Sequence, residues 1–342
     1  MSEKTPKSIR RISHSPYQKK EHLQYEKKSF EDLGLNYLDF DDNSQAADFW
    51  ISNTHFDFSL KNMAKIPKHL SEEFTNLKLI IHPNSGHDNF RTELMTSSSS
   101  PMVILGNPIR ANAVAQWYLS ELFYHIQSLS SHQLEWSKER TWNRELLSDN
   151  EILIIGNGHI GKLLHQSLRH LVKNIHIYDP HCKNTEKIDL IKTLKEHRPK
   201  IVLVCPSLNE TSKYLIDKNF LDLLVPDFVL LNASRGPIIN QQDLCIKLEK
   251  NLTAKVSLDV FETEPQNFDE LLKFNRDGQT TRVRTFSHIA GVYKDLSKGI
   301  SDYTKQVIQD SLNMSDKAFK SKYSELILQN RCIEVDQKKI FV

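Results

Sequence analysis

Four short runs of the chain are almost wholly apolar: Leu77 to Ile81, Ile152 to Ile155, Ile201 to Val204 and Phe228 to Leu231. Runs of this length without polar alternation predict strands buried on both faces, as in a parallel sheet covered by helices. Amphipathic segments of helical length lie among them, at Ile160 to Leu171, Asp189 to His197 and Asp243 to Glu249. Strand alternating with helix predicts an α/β fold with doubly wound parallel sheets. The first hundred residues repeat the alternation more weakly. Arg11 to Ser13 and Asn36 to Phe40 are expected as edge strands with a charged helix between them, and Phe49 to Ser52 as a further strand. A smaller α/β domain is therefore expected ahead of a stronger one at about 110–290. Ser97 to Ser100 before Pro101 marks a loop, and CIEVDQKKIFV at 332–342 alternates like a small hairpin.

Composition narrows the class without changing the fold. A chain of 342 residues with 39% apolar and 26% charged residues has room for two globular domains. Lys and Arg total 45 against 43 Asp and Glu, and a net charge of +2 gives no electrostatic case for nucleic acid. Basic residues gather near the start (Lys4, Lys7, Arg10, Arg11, Lys19, Lys20), interrupted by Glu3, Glu21 and Glu26, and predict a solvated surface. Cys182, Cys205, Cys245 and Cys332 have no paired spacing, so neither a metal site nor a disulfide framework is expected. The start lacks a signal-peptide pattern and no apolar run approaches the ~20 residues that span a bilayer. A soluble, cytoplasmic protein with no membrane partner is the expectation.

The most informative local stretch is EILIIGNGHIGKLLHQSL at 151–168, a strand, then Gly156-x-Gly158-x-x-Gly161, then a helix. Gly156 permits a tight turn, Gly158 lets the backbone approach a pyrophosphate, and Gly161 lets helix pack on strand. The helix N-terminus then offers unpaired N–H groups to the phosphates. Asn174 to Tyr178 reads as the next strand, and Asp179 ends it, 18 residues after Gly161. A carboxylate there would accept both ribose hydroxyls of NAD and repel the extra phosphate of NADP. Asp179 would also open an Asp-Pro turn, and His181 and Lys183 lie near it. The cofactor expected is NAD.

Three more segments follow in order, each with a titratable or charged residue just past a probable strand end, where open parallel sheets bind ligands. They are VLLNASRGPIINQQDL at 229–244 with Arg235, VSLDVFETEP at 256–265 with Asp259 and Glu264, and FSHIAG at 286–291 with His288. Together with the glycine fingerprint and the CPSLNET segment at 205–211, these stretches resemble the D-isomer-specific 2-hydroxyacid dehydrogenase family. Weaker similarity extends upstream: NLKLIIHPNSGHDN at 76–89 is similar to the family's substrate loop, and GNPIRANAVAQ at 106–116 to its interdomain hinge and helix.

The resemblance implies two Rossmann-like domains, with an NAD-binding domain at 109–290 inserted into a substrate domain made of 1–108 and 291–342. It implies a catalytic cleft between them that closes on substrate. Reduction of a 2-keto acid needs a hydride, a proton for the ketone oxygen and an anchor for the carboxylate. Arg235 would grip the carboxylate and polarise the carbonyl with its fork of donors. His288 would be the acid in reduction and the base in oxidation. Glu264 would bond the far imidazole nitrogen, orienting the ring and favouring its charged form. The resemblance also places His159, Ile160, Pro206, Thr211, Ala233, Ser234, Asp259 and His288 among the cofactor contacts, with Gly156, Gly158, Gly161 and Asp179. Ser85 and Gly86 would offer backbone N–H groups to the substrate carboxylate.

Some positions depart from the family. Phe286-Ser287 precedes His288 where Thr-Pro is usual, Gln116 stands where glutamate is common, and Asn84 stands where glycine is frequent. They leave the acid–base set intact and bear on the substrate pocket. Two other readings compete. One is an NAD-sensing, corepressor-like binding protein with little turnover, which need not keep a proton-transfer pair. The other is a formate- or phosphite-type dehydrogenase; formate enzymes usually carry Gln where this chain has Glu264. A homodimer is implied by the resemblance, with Trp136 to Trp142 as a candidate contact arm.

Overall fold

A computed structural model of the chain describes residues 7–13, 19–127, 145–182, 188–265, 267–275 and 281–342. Lys4, Lys183 and the Trp136–Trp142 arm lie outside the described residues. The chain divides into two compact units, one made of Met1–Arg110 with Tyr293–Val342 and the other of Ala111–Val292.

The first unit opens with β1 (Ser8–Arg11), α1 (Lys20–Glu31), β2 (Asn36–Leu38), β3 (Phe49–Ile51), α2 (Leu60–Met63), α3 (Lys68–Asn76), β4 (Leu79–His82), α4 (Thr92–Met95) and β5 (Met102–Leu105). The five strands form one parallel sheet in the order β2-β1-β3-β4-β5. Leu79 to His82 is buried throughout, as an uninterrupted apolar run predicts. β1 corrects the expectation of an edge strand, for it pairs with β2 on one side and β3 on the other. It also corrects the expectation that the N-terminal basic residues form a solvated surface. Lys19 and Lys20 are exposed, but Arg10 and Arg11 are 0% and 2% exposed. The reason is pairing: Arg10 Nη2 meets Glu73 Oε1 at 2.7 Å, and Arg11 Nε donates to Glu26 Oε1 at 2.6 Å. Glu26 sits on α1 and Glu73 on α3, so two helices neutralise two central arginines. Stripping either arginine of its carboxylate would leave a buried charge, at a cost of about 3–5 kcal/mol.

The second unit holds most of α5 (Asn107–Gln127), then β6 (Ile152–Ile155), α6 (His159–Leu168), β7 (Ile175–Tyr178), α7 (Leu190–His197), β8 (Ile201–Val204), α8 (Lys218–Leu223), β9 (Val229–Asn232), α9 (Gln241–Lys250), β10 (Lys255–Leu258), α10 (Asp269–Leu272) and β11 (Val283–Thr285). The six strands form one parallel sheet in the order β11-β10-β9-β8-β6-β7. Alternate residues point to opposite faces. Leu153, Ile155, Val202 and Val204 join a core with Leu194, Phe220 and Leu244 of the helices on one face. Ile152, Ile154, Ile201 and Leu203 join Tyr118, Leu122 and Leu164 on the other. Both faces are covered, which is why the strands read as continuous apolar runs. The direction of winding changes between β6 and β8, opening a crevice at their carboxyl ends.

The chain returns to the first unit with α11 (Leu296–Asn313), α12 (Asp316–Lys322), β12 (Cys332–Val335) and β13 (Lys338–Phe341). The last two strands make the expected hairpin, Cys332 facing Phe341. Asp336 and Gln337 in its turn both have positive φ, 48° and 65°, as a type I′ turn requires. Phe341 is buried with Phe58 and Phe90. Two parallel sheets clad by helices, one unit inserted in the other, match the expected fold class. None of the described helices is long and apolar enough to cross a membrane.

Candidate active site

The glycine loop follows β6 directly. Gly156 has φ +91°, and a Cβ there would stand 2.7 Å from Pro206 N and 2.8 Å from the Cys205 carbonyl carbon. The backbones leaving β6 and β8 therefore touch. A Cβ on Gly161 would stand 2.0 Å from Gly156 O, so helix α6 packs on the loop only with glycine there. Gly158 differs: it is exposed, and its Cβ position has nothing within 4 Å. It precedes α6 with no side-chain cap, leaving first-turn N–H groups for a ligand. Open space beside a glycine and an uncapped helix start fit a pyrophosphate.

Asp179, past the end of β7, accepts from Asn157 N at 2.7 Å, His181 N at 3.0 Å and Cys182 N at 2.9 Å. It thus closes the turn that the Asp-Pro pair suggested and also fastens the glycine loop. Two carboxylate oxygens have about four acceptor positions, so three amides leave room for a ribose hydroxyl. Past β8, Thr211 Oγ1 meets His181 Nε2 at 2.9 Å and donates to Asn209 Oδ1 at 2.8 Å. Pro206 is half-buried in the same loop, while Ile160, in the first turn of α6, packs against the core that includes Ile152 and Ile154.

At the end of β9, Asn232 builds the turn that carries Arg235. Its Oδ1 accepts from Ser234 N and Ser234 Oγ, both at 3.0 Å, and its Nδ2 donates to Arg235 O at 3.1 Å. Gly236 lies against the Phe261 carbonyl so closely that a Cβ would come within 1.9 Å. That contact joins the Arg235 turn to the loop bearing Glu264. Past β10, the buried Asp259 accepts from Ile289 N and Ala290 N at 2.8 Å each, and its carbonyl accepts from His288 N at 2.9 Å. Burial pushes its carboxyl up, and the two amides only partly offset this. Asp259 therefore seats the loop that holds His288, whose φ is +57°.

The His288 Nδ1 and Glu264 Oε2 atoms are 2.7 Å apart, and Glu264 Oε1 accepts from Phe261 N at 3.0 Å. Partial burial raises the Glu264 carboxyl, but the His288 bond and charge, the Phe261 N–H and the Arg235 charge outweigh it and bring it below its ordinary value. Arg235 is half-buried, with Nη1 donating to Ser234 O at 2.9 Å. Every residue expected in the second unit thus stands at the carboxyl ends of one sheet. Ser85 and Gly86 belong to the first unit and are half-buried.

Sequence reasoning missed several supporting residues. Tyr118, buried on α5, accepts from Ala233 N at 2.8 Å and donates to Val204 O, bridging the ends of β8 and β9. Burial holds its hydroxyl well above the usual phenol range, and raises the neighbouring Cys205 thiol to about 12. In the first unit, His82 spans from Ser52 Oγ (2.8 Å) to Gly86 O (2.9 Å), anchoring the 83–86 loop. These partners are 30 or more residues away except for Gly86, and nothing local signals them.

Residues 119–290, half of the chain, match the family model described as D-isomer specific 2-hydroxyacid dehydrogenase, NAD binding domain. D-3-phosphoglycerate dehydrogenase of Bacillus subtilis is 29% identical over 219 residues, 60% of this chain and 41% of that enzyme, so less than half of that relative is spanned. (S)-sulfolactate dehydrogenase of Chromohalobacter salexigens is 24% identical over 75% of this chain and 84% of its own. The solved structure of D-lactate dehydrogenase from Aquifex aeolicus, complexed with NAD and lactic acid, has the same fold, with a TM-score of 0.68 at 18% identity over 94% of this chain and 98% of that one. With half its length matched by the family's NAD-binding domain, the chain belongs to the D-isomer specific 2-hydroxyacid dehydrogenase family.

Proposed function

We propose that the chain is an oxidoreductase that interconverts a small 2-keto acid and its 2-hydroxy acid with NAD(H). The observation that carries this reading is the 2.7 Å pairing of His288 Nδ1 with Glu264 Oε2, on the same sheet edge as Arg235. Bound NADH supplies the hydride. His288 Nε2 gives a proton to the ketone oxygen in reduction and takes it back in oxidation. Glu264 fixes the ring and balances the charge it gains. Arg235 holds the substrate carboxylate and polarises the carbonyl. Gly158 and the start of α6 receive the pyrophosphate, Asp179 a ribose hydroxyl, and Thr211, Ala233 and Ser234 line the rest of the cofactor path. Asp259 maintains the loop that aims His288. The four free thiols suit a cytoplasmic setting, and a homodimer belongs to the same proposal.

The test is NADH oxidation with a panel of 2-keto acids that includes glyoxylate, pyruvate, hydroxypyruvate and phosphorylated and sulfonated analogues. His288→Asn should cut kcat by about 10²–10⁴ while NADH binding persists. Binding of NADH without oxidation of any acid above the His288→Asn level would favour the sensor reading instead.

A further inference from the structure

At the amino ends of β6 and β7, opposite the glycine loop, three donors converge that take no part in the chemistry above. Glu151 stands just before β6, His176 is the second residue of β7, and His197 ends α7. Their ligand atoms all lie within 4.8 Å of one another. His176 Nε2 and Glu151 Oε2 are 2.7 Å apart, and the imidazoles of His176 and His197 face each other at 4.2 Å with a 30° tilt. The other carboxylate oxygen, Oε1, accepts from Asn174 Nδ2 at 2.6 Å.

We propose that Glu151, His176 and His197 bind a zinc ion, with water completing the coordination. Two imidazoles and one carboxylate suit a borderline first-row cation and disfavour magnesium or calcium, which prefer all-oxygen sets. Zinc bonds of about 2.0–2.2 Å place tetrahedral ligand atoms about 3.4 Å apart, a spacing inside the range found here. The Asn174 amide orients Glu151 as supporting hydrogen bonds orient metal carboxylates. His197 sits at the carbonyl end of α7, where the helix dipole favours a cation. Sequence spacing predicted no metal because the three residues are 25 and 21 positions apart; the pairing of β6 with β7 brings Glu151 to His176, and the end of α7 brings His197 to His176. An ion here ties together β6, β7 and α7. Those strands run to Gly156 and Asp179, so the ion stiffens the base of the cofactor site without touching it.

The experiment uses the untagged full chain, with a phosphine keeping its thiols reduced. It is titrated with zinc chloride against a chromophoric indicator, and in parallel with cobalt to read the visible bands of a tetrahedral site. One equivalent should bind, with zinc raising Tm in the wild type. His197→Ala and His176→Gln should each weaken binding about 10–100-fold and abolish the Tm rise. His197 is exposed, so His197→Ala should fold with the metal-free wild-type Tm and keep the wild-type rate of NADH oxidation. No saturable binding below ~100 µM zinc would overturn the proposal. So would wild-type affinity in His197→Ala, whatever the fate of the second variant.

Discussion

His288 holds a backbone conformation that few side chains adopt, φ +57°, and three hydrogen bonds that Asp259 accepts from the N–H groups of residues 288–290 keep it there. Its ring is then aimed by Glu264. Strain of this kind persists where surrounding contacts over-determine it, which makes the imidazole's position dependent on two carboxylates in different protonation environments. Glu264 is depressed below its ordinary 4.5, so it stays ionised at every pH above that value. Its contribution to the fold is complete there and is lost only as acid titrates through the lower folded value. Replacing it with glutamine keeps an acceptor for Phe261 N but removes the charge. Glu264→Gln should lower kcat at least about tenfold and displace the pH–rate profile; a superimposable profile would refute the role of Glu264. Arg235, Glu264 and His288 were legible in the sequence because each stands in a short motif at a strand end. Tyr118 was not, since its partners Val204 and Ala233 lie 86 and 115 residues away.

At the scale of elements, the turn from β6 into α6 separates two roles that glycine plays within six residues. Gly161 is required by packing, because any Cβ would collide with the Gly156 carbonyl at 2.0 Å. Gly158 faces open space and is required, on the proposed reading, only by the cofactor. Gly161→Ala should therefore destabilise the protein by about 2–4 kcal/mol in urea unfolding. Gly158→Ala should unfold within about 0.5 kcal/mol of wild type yet bind NADH at least tenfold more weakly. Equal losses of stability in the two variants would contradict this division. Strands β6 and β8 were legible to the residue, since continuous burial leaves a continuous apolar signal. β1 was misjudged as an edge because its Ser-Ile-Arg-Arg sequence hides an internal position that pairing with Glu26 and Glu73 makes tolerable.

For the molecule as a whole, one contribution to acid sensitivity comes from a buried polar layer between α5 and the edge of the six-stranded sheet. His125 Nε2 meets Ser257 Oγ at 2.8 Å, Ser257 Oγ donates to Glu121 Oε2 at 2.8 Å, and Arg284 Nε donates to the same oxygen at 2.6 Å. Burial, reinforced by the charges of Lys255 and Arg284, pushes His125 down to about 3. The unfolded chain takes up that proton near 6.5 and the folded chain does not, so stability falls as the pH drops from 6.5 toward 3. At pH 5 the loss from this residue should be about 2 kcal/mol. Urea unfolding at pH 7 and pH 5 should show that slope in the wild type and a shallower one in His125→Gln; parallel slopes would exclude His125 as the source. The sequence by itself determined the α/β alternation, the cofactor loop and the order of charged residues behind the strands. Those signals are periodicity and turn chemistry carried by neighbouring residues. Only the tertiary structure decided which polar residues are buried, that Arg10 and Arg11 are neutralised in a sheet centre, and that Glu151, His176 and His197 meet. Burial and pairing depend on residues tens of positions away, and no local pattern of apolar and polar positions encodes them.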